Sequence, residues 1–457
     1  MARPVKSGRA GVPVPLAEVV LGFWTVALAA FVIIGADLMW AVALGDTIRR
    51  DGAVPAGLPF ASAPQLDWPN PAVLAQLFLS VVHGLGWWAL PALQLVLVAA
   101  TLLVVLADAS RMGAGPGRSA AVVSVVVVGG ASAFVLARFP SLSLVPFVVL
   151  VLLLRRQEER PGRAVWVVPP LLIVWGNLHG GVLVGLGVLG VWVLAGRSHT
   201  FVRRALVGVA SLSALVLTSA GLRTPEYYLG VLGNEAAVRR TGMWAAPDLT
   251  NPLDVAMVLC AVALLALAAR SLVRWEWVVV VAVAVATVSA ARHGVWLLLF
   301  LAPVAAAGRH RRAEIPADQG REPVRAARHP AVLLVVGAVT AGLVAAVLAN
   351  RSEQVRPPGH ELVAALRGIA GPLPVLAIEP EAETFAQAGI TVWAANPVDA
   401  FPREVQGAFI DFLDDCRVPD AGLSVAVAGQ DCAEELTREG WVVVRRSGEL
   451  SILTRPS

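Results

Sequence analysis

WALPALQLVLVAATLLVVLA, residues 88–107, is a run of about 20 residues without one charged side chain, the length an α-helix needs to cross the hydrocarbon core of a bilayer. Stretches of the same character recur on both sides of it, from residue 16 to 349. The spans are placed at 16–34, 88–107, 119–137, 141–154, 164–177, 180–196, 205–220, 255–272, 275–291, 294–308 and 330–349. The chain of 457 residues is 57% hydrophobic and only 15% charged, with a mean hydropathy of +0.73. A soluble domain carries about 25% charged residues, so there is too little charge here to face water everywhere. The fold class that follows is mainly α: a polytopic transmembrane helical bundle of about 11 spans, residues 1–349, followed by a smaller α/β domain at 350–457. No small-residue cleavage site follows the first apolar stretch, so Leu16–Ile34 reads as a retained span. The apolar segment 71–84, opened by Pro71 and closed by Gly84–Gly86, reads as a helix lying along the interface.

The net charge of +4 and the pI near 9.5 do not point to nucleic acid, because the basic residues are scattered between apolar segments rather than gathered in a stripe. They read as topology signals. With a cytoplasmic N-terminus, the inner side holds Arg3, Lys6, Arg9, Arg111, Arg118, Arg155, Arg156, Arg160, Arg163, Arg197, Arg203, Arg204, Arg270, Arg274, Arg309, Arg311, Arg312, Arg321, Arg325 and Arg328. The outer side holds only Arg49, Arg50, Arg138, Arg223, Arg239, Arg240 and Arg292. The positive-inside rule then gives a multi-pass protein of the plasma membrane with its C-terminal domain extracytoplasmic. Two long outer loops, 35–70 and 221–254, collect most of the polar side chains of the membrane region, and function is expected in a cavity beneath them.

In the first loop, Asp37 stands where the first span meets water, with Trp40 one turn on. A partly desolvated carboxylate there is suited to general-base work; the bland alternative is a helix cap. Asp46, Asp51 and Asp67 read as solvated loop charges, while Trp68, Pro69 and Asn70 form either a binding wall or a belt residue and a turn. The turn VWGNLHGG, 174–181, offers Asn177 and His179 to an aqueous rim, and Gly180–Gly181 permit close backbone approach; a passive polar turn is the competing reading. Arg138 and the pair Arg292–His293 end spans on the outer side, against the charge bias, as phosphate ligands or as snorkelling helix ends. The second loop, with Glu226, Tyr227, Tyr228, Arg239, Arg240, Trp244 and Asp248, reads as a lid or acceptor-binding loop. There is no HExxH, no paired CxxC and no nucleotide fingerprint; no cofactor is assigned, and a divalent metal is left open.

Beyond Arg351, strands are expected at 374–378, 390–394, 423–428, 441–446 and 450–454, and helices at 359–368, 402–414 and 431–438. Asp399, Asp411, Asp414 and Asp415 read as surface charges, and 396–406 as a contact with the membrane part. Cys416 and Cys432 lie where an oxidising compartment permits a disulfide, which the sequence leaves open; Cys260 sits inside a span.

Taken together, Asp37, Trp40, Gly45, Pro55, Pro59–Phe60 and Trp68, the turns Arg138–Pro140 and Trp175–Gly181, the segment Met243–Pro247 and the pair Arg292–His293 resemble the bacterial membrane glycosyltransferase-like proteins of the GT-C class, as a divergent member of actinobacterial type. The likeness spans 16–310 and departs from the pattern at Gly35 and Met243, where acids are usual. It implies transfer of a sugar from a polyprenyl-phosphate donor to an extracytoplasmic glycan or protein acceptor. Asp37 would be the base, Arg138 and Arg292 the phosphate ligands, Asn177 and His179 the groups steadying the leaving group, and Trp40, Trp68, Asn70, Trp244 and His293 further substrate contacts. A non-catalytic binder of lipid-linked glycans and a transporter are the alternatives. Against transport, the ionisable residues gather at the outer boundary rather than at mid-bilayer.

Overall fold

The computed structural model describes residues 15–308 and 330–456. Of the inner-side charges, Arg3, Lys6, Arg9, Arg309, Arg311, Arg312, Arg321, Arg325 and Arg328 lie outside the described residues.

Every expected span contains a helix, and the protein is a helical membrane protein. Ala89–Arg111, Phe139–Glu159 and Pro330–Asn350 are long and apolar enough to cross a bilayer. Leu16–Ala29, Pro116–Gly129, Arg163–Leu178, Val182–Ala195, Pro252–Ala268 and Ala291–Ala307 are apolar but shorter. The segment placed at 205–220 is helical earlier, over Phe201–Ser211, where Thr200 caps the N-terminus by accepting from the Arg203 amide. The helix expected at 71–84 is present as Val73–His83.

Two spans stop short for an informative reason. The segments 16–34 and 119–137 do not end as helices but as strands of two residues, Ile33–Ile34 and Leu136–Ala137, paired in parallel. Gly35 N–H extends the ladder to the Ala137 carbonyl at 2.9 Å. A side chain at Gly35 would place its Cβ 3.1 Å from Arg138 Cγ, so glycine allows the two chains to close. The ladder delivers Asp37 and Arg138 to the same place.

Arg155, expected as an inner-loop charge, is instead fully buried within helix Leu144–Glu159. Its Nε donates to Glu276 (2.8 Å), Nη1 to Asp108 (3.0 Å) and Nη2 to the Phe300 carbonyl (2.7 Å). Burying a guanidinium is tolerable only with such complete pairing, and the cluster joins four helices. Arg204, also expected in a loop, is buried and spends its donors on the carbonyls of Val193, Ser198 and His199.

The C-terminal part is an α/β layer. Val375–Ala377 runs parallel to Val425–Gly429, which pairs antiparallel with Leu450–Thr454, and Val442–Ser447 forms the far edge. Helices Val363–Ala370, Arg403–Asp415 and Gln430–Arg438 match expectation. Helix Glu381–Gln387 is additional; it is too short to show a period in sequence. Cys416 and Cys432 are joined as a disulfide with Cα atoms 5.4 Å apart.

The strand expected at 390–394 is not one. Its main chain is shared between two partners: Val392 N–H donates to the Phe60 carbonyl and Trp393 N–H to the Val375 carbonyl. Ser62 and Ala63 amides return bonds to Val392 and Trp393. The segment therefore splices the first outer loop to the C-terminal sheet, and Trp40, Trp68 and Phe139 share one apolar cluster with Phe385, Trp393 and Phe409.

Candidate functional site

The ladder sets Asp37 in the first turn of helix Ala36–Asp51, buried, with Arg138 Nε 3.8 Å from its Oδ2 and the Phe139 amide 3.4 Å from its Oδ1. Burial pushes the Asp37 carboxyl above the usual aspartate range, and the Arg138 charge opposes that shift.

Trp175–Gly181 supplies the next wall. Gly181 N–H donates to His179 Nδ1 at 2.9 Å, which puts the ring proton on Nε2. Ser143 Oγ, 2.9 Å from the same Nδ1, also accepts from Trp175 Nε1 at 2.8 Å. A Cβ at Gly181 would lie 2.6 Å from Ser143 Oγ, so any larger residue there would displace the Ser143 hydroxyl from His179 and Trp175. Burial and the charges of Arg292 and Arg138 lower the His179 pKa to about 3, so it is a neutral donor at physiological pH. Arg292 lies near enough to both Arg138 and His179 to act on them electrostatically. Its guanidinium lies over the Trp244 ring, 3.6 Å from the centroid, in a corner tied by Ala291 N–H to the Ala245 carbonyl at 2.9 Å. Among the described residues no carboxylate forms an ion pair with Arg292. His293, half-buried, sits beside it. Asp37, Arg138, His179 and Arg292 thus gather in one cluster of acid, imidazole and cations, beside Trp40 and Phe139, whose rings are 5.2 Å apart.

Other expected ligands are committed elsewhere. Asn70 exchanges two side-chain bonds with Gln76 (2.8 and 3.0 Å) and accepts from the Ala72 amide. Asn177 Nδ2 donates to the Ile173 and Leu217 carbonyls, leaving only its own carbonyl for a ligand. Trp68 is buried and donates to Asp399 Oδ2 at 2.7 Å, so Asp399 is not the surface charge it resembles in sequence. Asp411 pairs with Arg239 of the second loop. Asp46 is likewise no free loop charge: it accepts from Ser80 (2.5 Å) and Gln387 (3.3 Å).

Sequence reasoning also missed the acids of the run IEPEAET, 378–384. Glu383 is buried and accepts from the Asn396 amide and side chain, while one carboxylate oxygen on each of Glu381 and Glu383 is buried without a hydrogen-bond partner. Burial raises Asp399 to about 6 and Glu381 to about 7, and raises Glu379 and Glu383 as well. Acids whose folded values exceed their unfolded ones stabilise the fold below the unfolded pKa, and that stabilisation is lost as pH rises through the folded values. Buried His179 and His293, held below the usual histidine range, act in the opposite sense, so the acids are isolated by substitution: Asp399→Asn and Glu383→Gln are expected to raise the melting temperature in detergent more at about pH 8 than at about pH 5, which thermal scans across pH check.

No family model matches the chain, and no curated protein matches it. Among solved structures it superposes on the crystal structure of ArnT from Cupriavidus metallidurans bound to undecaprenyl phosphate, with a TM-score of 0.53 at 14% identity over 98% of both chains. Arabinofuranosyltransferase AftD from Mycobacteria gives 0.48 at 15% identity, covering 96% of this chain and 41% of that one; ArnT in the apo state gives 0.45 at 14% over 96% of each. The likeness to lipid-bound ArnT is one of fold, and the chain has a GT-C-like fold.

Proposed function

We propose that the protein is a membrane glycosyltransferase that moves a sugar from a polyprenyl-phosphate carrier to an extracytoplasmic glycan or protein acceptor. The observation carrying this reading is a pair of guanidinium groups, Arg138 beside the buried Asp37 and Arg292 close enough to Arg138 to feel its charge. Two cations and the neutral Nε2–H of His179 suit a phosphate, which takes charge-assisted bonds at several oxygens. The solved structure whose fold the chain shares is bound to undecaprenyl phosphate, which supports a carrier of that class.

Asp37 takes the acceptor hydroxyl proton as that oxygen bonds to the anomeric carbon. The bond from that carbon to the phosphate oxygen breaks, and the polyprenyl phosphate leaves with its charge held by Arg138 and Arg292. Direct attack inverts the anomeric centre. Membrane lipid is the carrier's solvent, and no soluble nucleotide donor is needed.

Full-length protein in nanodiscs is expected to bind undecaprenyl phosphate, and Arg138→Met with Arg292→Met to weaken that binding by about 10²–10⁴-fold, two charge-assisted bonds at about 1.5–3 kcal/mol each being lost. Unchanged affinity in the double variant would remove the cradle assignment. Binding without turnover of any lipid-linked sugar would favour the non-catalytic scaffold, which shares the same pocket.

A further inference from the structure

Among the described residues the Arg292 guanidinium makes no hydrogen bond or ion pair; it meets the face of Trp244, 3.6 Å from the ring centroid. A cation held in this way goes where its ring goes. Trp244 ends the turn Gly242–Trp244 of the second outer loop, and the next carbonyl, that of Ala245, accepts from the Ala291 amide at 2.9 Å. In the other direction the turn is tied to helix Glu235–Arg239. Arg240 reverses the chain in the left-handed region, φ 55°, and the Thr241 amide donates back to the Ala236 carbonyl at 3.1 Å. The Trp244 amide in turn donates to the Thr241 carbonyl at 3.0 Å.

Five residues are too few for a helix to hold its own shape in water, so Glu235–Arg239 sits where its contacts put it. Asn234 caps it by accepting from the Ala237 amide at 2.7 Å. Helix Arg403–Asp415 of the C-terminal part supplies three more bonds. Gln406 Oε1 accepts from the Glu235 amide at 2.8 Å, Asp411 Oδ1 from Arg239 Nη1 at 2.5 Å, and Arg403 Nη2 donates to the Gly233 carbonyl at 2.6 Å. Gln406 is buried and also donates to the Phe401 carbonyl at 2.7 Å, so it is fixed from its own side. The helices meet at a glycine: a Cβ on Gly407 would stand 3.0 Å from Arg239 Nη2.

We propose that Gln406 and Asp411 are positioning residues for Arg292: the C-terminal helix clamps the second outer loop, the loop fixes Trp244, and Trp244 presents the guanidinium to the carrier phosphate. The inference rests on the reading of Arg292 as a phosphate ligand given above, and it adds the means by which the C-terminal part acts on the lipid site. Arg239 and Asp411 are 38% and 36% exposed, so their substitution leaves the core intact. An exposed pair contributes little alone, which sets the scale of the effect.

Phenylglyoxal, which modifies accessible guanidinium groups, reads the clamp without any lipid. In full-length protein in nanodiscs, Asp411→Arg sets two like charges against each other across the junction. It is expected to speed modification of Arg292 by about threefold to tenfold, measured by peptide mass spectrometry against exposed Arg446. Combining it with Arg239→Asp restores the pair in reverse and should return the wild-type rate. Affinity for undecaprenyl phosphate should fall severalfold in Asp411→Arg and recover in the swapped pair. In an Arg292→Met background, Asp411→Arg should change that affinity no further, whereas a merely structural role would lower it in both backgrounds. Arg292 modified at the wild-type rate in Asp411→Arg, a swap that restores nothing, or an equal affinity loss with and without Arg292 overturns the proposal. Absence of lipid binding in every variant and in the wild type counts against the proposed function instead, and the modification rates still decide the clamp.

Discussion

Asp37→Asn is expected to cut sugar transfer by about 10²–10⁴-fold, the usual contribution of a general base, while the protein still folds and inserts. The amide matches the carboxylate in shape and keeps an oxygen for the Phe139 amide, 3.4 Å away in the native protein. Because burial raises the Asp37 pKa, its ionised form carries a cost in the fold that the neutral amide does not. The variant's melting temperature should therefore match or exceed the wild type's at neutral pH. Transfer measured with a polyprenyl-linked sugar, alongside a thermal scan, separates lost chemistry from lost structure. Full activity in this variant would remove Asp37 from the mechanism.

Arg155→Met is expected to produce the largest loss of stability, about 3–5 kcal/mol, because it removes the buried guanidinium that Asp108 and Glu276 both face. Asp108 keeps Arg111 at 2.7 Å, and Glu276 keeps the Val273 amide at 3.0 Å, so neither acid is wholly abandoned. Neither remaining partner replaces the fully buried guanidinium at 3.0 and 2.8 Å. Adding Asp108→Asn and Glu276→Gln to Arg155→Met should recover part of the loss, since it removes the two negative charges that the guanidinium balanced. Thermal unfolding in detergent measures both. If Arg155→Met melts with the wild type, the cluster is not what joins these helices.

How far the sequence could be read follows from the length scale of each signal. A helix such as Ala89–Arg111 announces itself through many apolar residues in a row, and each apolar segment expected to span contains a helix for that reason. Ile33–Ile34 and Leu136–Ala137 are too short to carry a period, and their aliphatic side chains look like more of the same span. The pairing of Asp37 with Arg138 was therefore invisible although both residues were singled out. Arg155 was misplaced because a charge near the end of an apolar run reads alike whether it faces water or a buried acid on another helix. In Trp175–Gly181 the glycines were legible as tight backbone approach, Gly181 lying close to Ser143, whereas the bonds from Asn177 to the Ile173 and Leu217 carbonyls were not. Glu383 was missed because acids of a short helix resemble ordinary solvated residues, and only its burial and its bonds from Asn396 set it apart.

The bond from Trp68 to Asp399 joins residues separated by 331 positions, and the splice at Phe60–Ala63 with Val392–Trp393 is of similar range. During synthesis the first loop thus emerges long before these partners exist, and Trp68 must wait without its Asp399 bond until some 330 further residues have been made. Chains released by the ribosome before residues 392–399 are made would display this apolar surface to quality control, so biogenesis itself ties burial of the first loop to synthesis of the C-terminal part.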